Sequence, residues 1–204
     1  NRLYTNPYTF ITPFGVDTQL FKPYVQRVPT KKIVIGTVKT LAQKYGIDTL
    51  INAFSILQAK IEDIPLQLVI VGNGPQENDL KSLVSKLGLN DRVEFLGFIE
   101  HSKLVSILQS FDIFVALSRY DSESFGVAII EASACGLPVV VSDADGPAEV
   151  VINNFTGLIV PKNDELSAAR ALQELILDSE KRKQLGQFGR EHIEKNYSWE
   201  KSLD

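Results

Sequence analysis

From Lys32 onward the alternation of apolar and polar positions becomes regular. Short runs rich in β-branched residues, Ile33 to Val38, Gln67 to Val71, Val93 to Leu96, Ile113 to Ala116, Val139 to Ser142 and Leu158 to Val160, have the length and composition of buried strands. Between them apolar residues recur at helical spacing near Ile47 to Ile61, Gln76 to Leu87, Ser102 to Gln109, Phe125 to Ala134 and Ala148 to Asn153. Two more helices are expected near Asp164 to Asp178 and Glu180 to Lys195. Apolar strands alternating with helices predict an α/β fold, a doubly wound, Rossmann-like parallel sheet of about six strands with helices on both faces. Ligands of such sheets collect at the carboxyl ends of the strands. The loops after Val38, Val71, Leu96, Leu117 and Ser142 should therefore share one functional edge. Residues 1–30 break the pattern: Pro7, Pro13, Pro23 and Pro29 are mixed with Tyr4, Tyr8, Phe10 and Phe14. That profile suits an irregular joint, with room for a short strand at Thr9 to Thr12, leading into a domain at 31–204.

Composition narrows the function. A chain of 204 residues, 44% hydrophobic and 23% charged, can build one domain with a sizeable core. A formal charge of −4 argues against nucleic acid as a partner, so any phosphate must be met by local cations. The single cysteine, Cys135, rules out an internal disulfide and fits a reducing compartment. No apolar run approaches the ~18 residues of a membrane span and no leader pattern opens the chain, so the expectation is a soluble, cytoplasmic protein. The lack of any Met and a start in mid-pattern read as a piece of a longer chain.

The chemistry concentrates between Leu117 and Glu149. A strand end, a polar loop from Ser118 to Ser124 and a helix opened by Phe125-Gly126-Val127 follow one another. The first N–H groups of a helix lack partners and its dipole is positive there, which attracts hydroxyls and phosphates. Gly126 admits a close ligand, and Glu123 and Glu131 bracket the helix start. Two solvated carboxylates are the ordinary alternative. Glu131, however, lies among Ile129, Ile130, Ala132 and Ala134, where an unpaired carboxylate is costly. A sugar diol, which can donate to both carboxylate oxygens, is a natural partner. Lys39 and Lys44, in a non-helical loop after the first strand, either face a diphosphate or are solvated.

Other motifs read as structure. Gly72-Asn73-Gly74-Pro75 fails as a dinucleotide fingerprint, because Glu77 holds the third glycine position and the turn follows the second strand. His101, at a helix start, and His192, in a charged helix, read as surface residues, and with Cys135 they form neither a zinc-ligand spacing nor a nucleophile triad. Cys135 reads as a core thiol, Asn154-Phe155-Thr156 as a turn, and Lys181, Arg182, Lys183 and Arg190 as a solvated helix face.

Glu123 and Glu131 are separated by seven residues that include Ser124-Phe125-Gly126, and Gly136-Leu137-Pro138-Val139-Val140 follows. This pattern resembles the retaining nucleotide-sugar glycosyltransferases of family four, in the GT-B group. The resemblance extends from Pro13 to Trp199. Pro13-Phe14-Gly15-Val16-Asp17 and Phe21-Lys22-Pro23 are similar to the family's inter-domain joint, with Phe14 in place of Asn, and Tyr197-Ser198-Trp199 to its closing motif. It implies the carboxyl-terminal, donor-binding half of a GT-B enzyme, with an amino-terminal acceptor domain beyond this chain. Thr37, next to Gly36, stands where the family has a pyrophosphate-binding Arg, so Lys39 is the candidate for the displaced cation and Lys44 for the second.

By the same resemblance Gly74 lines the donor pocket, the main chain at Phe98 and Ile99 reads the nucleobase, and Glu131 holds the ribose diol. Glu123 meets sugar hydroxyls near the reacting centre, and Ser124 with the amides of Phe125, Gly126 and Val127 completes the donor site. Glu123, Lys39 and Lys44 would carry catalysis. The implied donor is a nucleotide diphosphate sugar, a UDP-sugar ahead of a GDP-sugar, with no obligatory metal or other cofactor. Asp143-Ala144-Asp145, which could bind a metal in another glycosyltransferase fold, falls in an ordinary loop here. The implied acceptor is lipid-linked or a growing glycan, for polysaccharide or glycoconjugate synthesis, with attachment to the inner membrane face through the missing domain. These residues alone are expected to bind donor without transferring it. A nicotinamide-dependent oxidoreductase and a non-catalytic nucleotide-sugar-binding module remain as alternatives.

Overall fold

In the computed structural model, residues 15–24, 31–120 and 126–202 are described. The strands β1 (Ile33–Val38), β2 (Leu66–Val71), β3 (Val93–Gly97), β4 (Ile113–Ala116), β5 (Val139–Ser142) and β6 (Gly157–Val160) form one sheet in the order β3-β2-β1-β4-β5-β6. Every pairing in it is parallel. The helices are α1 (Ile47–Lys60), α2 (Glu77–Lys86), α3 (His101–Leu108), α4 (Val127–Ala134), α5 (Asp145–Val150), α6 (Glu165–Leu177), α7 (Ser179–Asn196) and α8 (Trp199–Ser202).

Side chains alternate across each strand, so the apolar runs supply two cores. Ile33, Ile35, Leu68, Ile70, Ile113 and Val115 pack with Leu50, Phe54 and Leu57 of α1 and Leu172 and Leu175 of α6. Val34, Val69, Val71, Phe114, Val139 and Val141 pack on the other face with Leu104 and Leu108 of α3 and Ile129 and Ile130 of α4. Helix α7 spans both, giving Leu185 to the first core and Ile193 to the second. Burial on both faces is what a parallel sheet requires.

The joint residues near the start of the chain are docked on the second core. Val16 bridges to Ser198, and its N–H donates to the Tyr197 carbonyl at 2.8 Å. Phe21 is fully packed in that core. Arg190, expected on a solvated face, instead donates to the carbonyls of Phe21 and Ala134, and Arg182 to those of Leu175 and Ile176. A guanidinium can satisfy several exposed carbonyls at once.

Local readings shift in three places. Helix α5 begins at Asp145, three residues earlier than expected, because Pro147 sits in the first turn, where its missing N–H costs nothing. The stretch Gln43–Tyr45 is a turn of 3₁₀ helix, so Lys44 is not in a non-helical segment. His192 is half-buried, within 3.1 Å of Asn196 and edge-on to Tyr197. Asn154 to Thr156 form the expected turn, with Asn154 at φ 61°. The strand suggested at Thr9 to Thr12 lies outside the described residues.

Gly36 illustrates how sheet and helix layers fit. A Cβ there would fall 2.1 Å from the Phe111 ring. Gly36→Ala should therefore cost about 1–3 kcal/mol through overpacking, read as a lower urea midpoint. The added Phe111→Leu change should recover part of the loss, and simple additivity of the two changes would show that the ring contact is not the cause.

Candidate active site

The sheet order reverses between β1 and β4, and the crevice above their carboxyl ends is where a doubly wound sheet takes its ligand. One wall is the segment after β1. Lys39 Nζ lies 4.5 Å and Lys44 Nζ 4.7 Å from the centroid of the Tyr45 ring. A single aromatic face system thus gathers two cations at the mouth of the crevice. Lys39 is half-buried and Lys44 exposed, while Thr37 is buried in β1 and Gly36 is covered by Phe111.

The opposite wall begins with Leu117 to Tyr120 and continues at Gly126. The Arg119 N–H donates to the Lys44 carbonyl at 2.8 Å. Its guanidinium donates to Asp48 Oδ2 at 2.6 Å and to Thr49 Oγ1 at 3.0 Å at the start of α1. Ser142 Oγ donates to the Ser118 carbonyl at 2.6 Å, fixing the same segment to the end of β5. Arg119 therefore clips the two walls together. The sequence pattern gave it no role; its place directly after β4 was the available signal.

Gly126 adopts φ 67° at the start of α4, and no side chain caps that helix among the described residues. Left-handed backbone favours glycine. Val127, the first residue of α4, is exposed beside it. Glu131, in the second turn of α4, is only 5% exposed, and its Oε1 lies 2.7 Å from His101 Nε2. Burial, opposed by the hydrogen bond and charge of His101, holds this carboxyl above the usual Glu range. His101 is exposed at the start of α3, as expected, but it is not a bare surface residue. Burial likewise pushes the Cys135 thiol up to about 12, which leaves it unreactive.

Beyond β3, Gly97 has φ 68° and open space around its α-carbon, Phe98 is 72% exposed and Ile99 packs against the second core. Gly74 has a different setting: its added Cβ would meet the backbone of Leu41 at 2.4 Å, and that of Gly72 the Lys39 carbonyl at 2.0 Å. This glycine turn supports the lysine segment through main-chain packing. Asp143 accepts from the Lys162 N–H at 2.8 Å and Asp145 begins α5. Among the described residues no group of three or more His, Cys, Asp or Glu is placed to hold a metal. Glu123, Ser124 and Phe125 lie outside the described residues.

A family model for glycosyl transferases group 1 matches residues 20–192. The chain belongs to that family. A similar protein is the GDP-mannose-dependent monoacylated alpha-(1-6)-phosphatidylinositol monomannoside mannosyltransferase of Corynebacterium glutamicum, 34% identical over 203 residues, which cover 92% of this chain and 52% of that protein. The C-terminal domain of the glycosyl transferase group 1 family protein LpcC of Francisella tularensis has a TM-score of 0.81 at 27% identity, over 91% of this chain and 100% of that domain. Sucrose-phosphate synthase of Thermosynechococcus elongatus has a TM-score of 0.84 at 32% identity, over 94% of this chain and 49% of that one. The chain spans about half the length of the curated relatives it matches. Its fold is that of the carboxyl-terminal half of a GT-B protein, and the family match sets the oxidoreductase alternative aside.

In this glycosyl transferases group 1 domain the buried carboxylate has a stability signature. With its folded pKa raised, Glu131 keeps its proton to higher pH in the folded chain than in the unfolded one, so its contribution to stability falls as pH rises above the unfolded value of 4.5. Glu131→Gln should thus raise the urea midpoint at pH 7.5, and the gain should shrink on approach to pH 4.5. An equal midpoint difference at both pH values would contradict a burial cost.

Proposed function

We propose that the chain is the donor-binding half of a retaining glycosyltransferase, taking a nucleoside diphosphate sugar at the β1–β4 crevice. The observation that supports this most is Glu131: an ionisable carboxylate buried on a helix that no side chain caps among the described residues has a stability cost that a ligand diol would repay. In this reading Glu131 accepts the ribose hydroxyls, and the main chain at Phe98 and Ile99 meets the base. Lys39 and Lys44 face the diphosphate and stabilise the charge that builds on it as the sugar departs. Gly126 and Val127 offer N–H groups to phosphate and sugar, together with Ser124 and Phe125, while Glu123 contacts the sugar near the reacting carbon. Gly36, Thr37 and Gly74 shape the pocket through packing.

The acceptor would be held by a further amino-terminal domain. A lipid-linked or glycan acceptor is proposed, met at the cytoplasmic membrane face, in line with the phosphatidylinositol mannoside named for the Corynebacterium relative. No helix among the described residues is long and apolar enough to cross a membrane. Attachment through that further domain is therefore the proposed route to such an acceptor.

Calorimetric titration with UDP, GDP and ADP and their sugars tests the donor site. At least one diphosphate should bind, and Glu131→Ala should weaken it about 10–100-fold, the worth of one charge-assisted hydrogen bond at ~1.5–3 kcal/mol. Lys39→Ala and Lys44→Ala should weaken the diphosphate much more than the bare nucleoside. Robust sugar transfer by this chain alone, or unchanged binding by all three variants, would refute the assignment.

A further inference from the structure

Glu131 has a protein partner that the acidic spacing did not require. His101 Nε2 reaches Glu131 Oε1 at 2.7 Å across 30 positions of sequence, from the first residue of α3 to the second turn of α4. The imidazole side chain is 66% exposed, yet it is not loosely placed. The Phe21 ring lies against it, with centroids 5.5 Å apart and planes at 53°. Phe21 is itself 2% exposed, and its carbonyl accepts from Arg190 at 3.1 Å. A fixed ring on one side and a buried carboxylate on the other thus set the imidazole.

An ionised carboxylate accepts through about four lone-pair positions and donates nothing. One bond from an imidazole N–H therefore leaves room for two hydroxyls on the same group. The terminal torsion of a Glu side chain is broad and two-fold, so a carboxylate without such a bond samples many presentations. Resting on the donor reading of Glu131, we propose that His101 is a positioning residue that donates Nε2–H to Glu131 Oε1 and holds the carboxylate ready for the 2′- and 3′-hydroxyls of a nucleoside diphosphate. It thereby sets the preference for ribose over deoxyribose. His101 also follows directly on Phe98 to Glu100, so the segment proposed to meet the base is tied to the group that grips the sugar of the same nucleotide.

The test is calorimetric titration of the chain with UDP and GDP and with their 2′,3′-dideoxy counterparts. His101→Ala should weaken the ribonucleotides about tenfold and leave the dideoxy forms unchanged, which compresses the ratio of the two affinities. His101→Gln, which retains an N–H donor, should recover part of that ratio. In a Glu131→Ala background the His101→Ala change should add nothing. Ribose preference unaltered by His101→Ala, or equal losses for both sugars, would overturn the proposal while leaving the donor site standing, provided Glu131→Ala still weakens the ribonucleotides. If Glu131→Ala has no effect on them, or the parent binds none, the donor reading fails and the role of His101 fails with it.

Discussion

Between β1 and β4 only Ile35 with Ile113 and Gly36 with Phe114 stand in register, yet this is the pairing at which the winding of the sheet changes direction. Strands added on the β2 side carry their crossovers to one face, and strands added on the β5 side to the other. The connections after β1 and β4 are therefore pushed apart above the sheet, and a crevice opens between them. Phe111 over Gly36 holds the layers close beneath it, and Arg119 ties the two separated connections back together through Lys44, Asp48 and Thr49. An opening is created by topology and bridged by one arginine.

Charge is distributed unevenly across that opening. On one side two ammonium groups share the Tyr45 ring, with Lys39 Nζ 4.5 Å and Lys44 Nζ 4.7 Å from its centroid. On the other side Glu131 is removed from water on a helix whose neighbouring positions are Ile129, Ile130, Ala132 and Ala134. Burial disfavours the charged form of Glu131, and the hydrogen bond and charge of His101 offset part of that cost.

The packing of residues 15–24 adds a second consequence. This segment carries Phe21 into the core beside α3 and α4, where the ring sets His101. Arg190 of α7 holds the Phe21 carbonyl, and Trp199 Nε1 donates to the Gly15 carbonyl at 2.8 Å. Residues near the two ends of the described domain are thus joined.

Strands and their parallel arrangement were legible in the sequence, because apolar runs such as Ile33 to Val38 and helical periodicity such as that of α1 are local and follow from burial alone. Glu131 was legible for the same reason, as an acid set among residues that must be inside. Its partner His101, the reach of Arg119 to Asp48 and Thr49, and the ring of Phe111 over Gly36 were not. These contacts join residues 30, 71 and 70 positions apart, and for Gly36 a residue in the connection from α3 to β4, so they exist only once strand order has been decided. Arg190 shows the difference most directly: along the chain it sits in a run of charged residues on a helix, but α7 turns it toward the carbonyls of Phe21 and Ala134. Periodicity tells which side chains leave water; only the assembled sheet determines which of them meet.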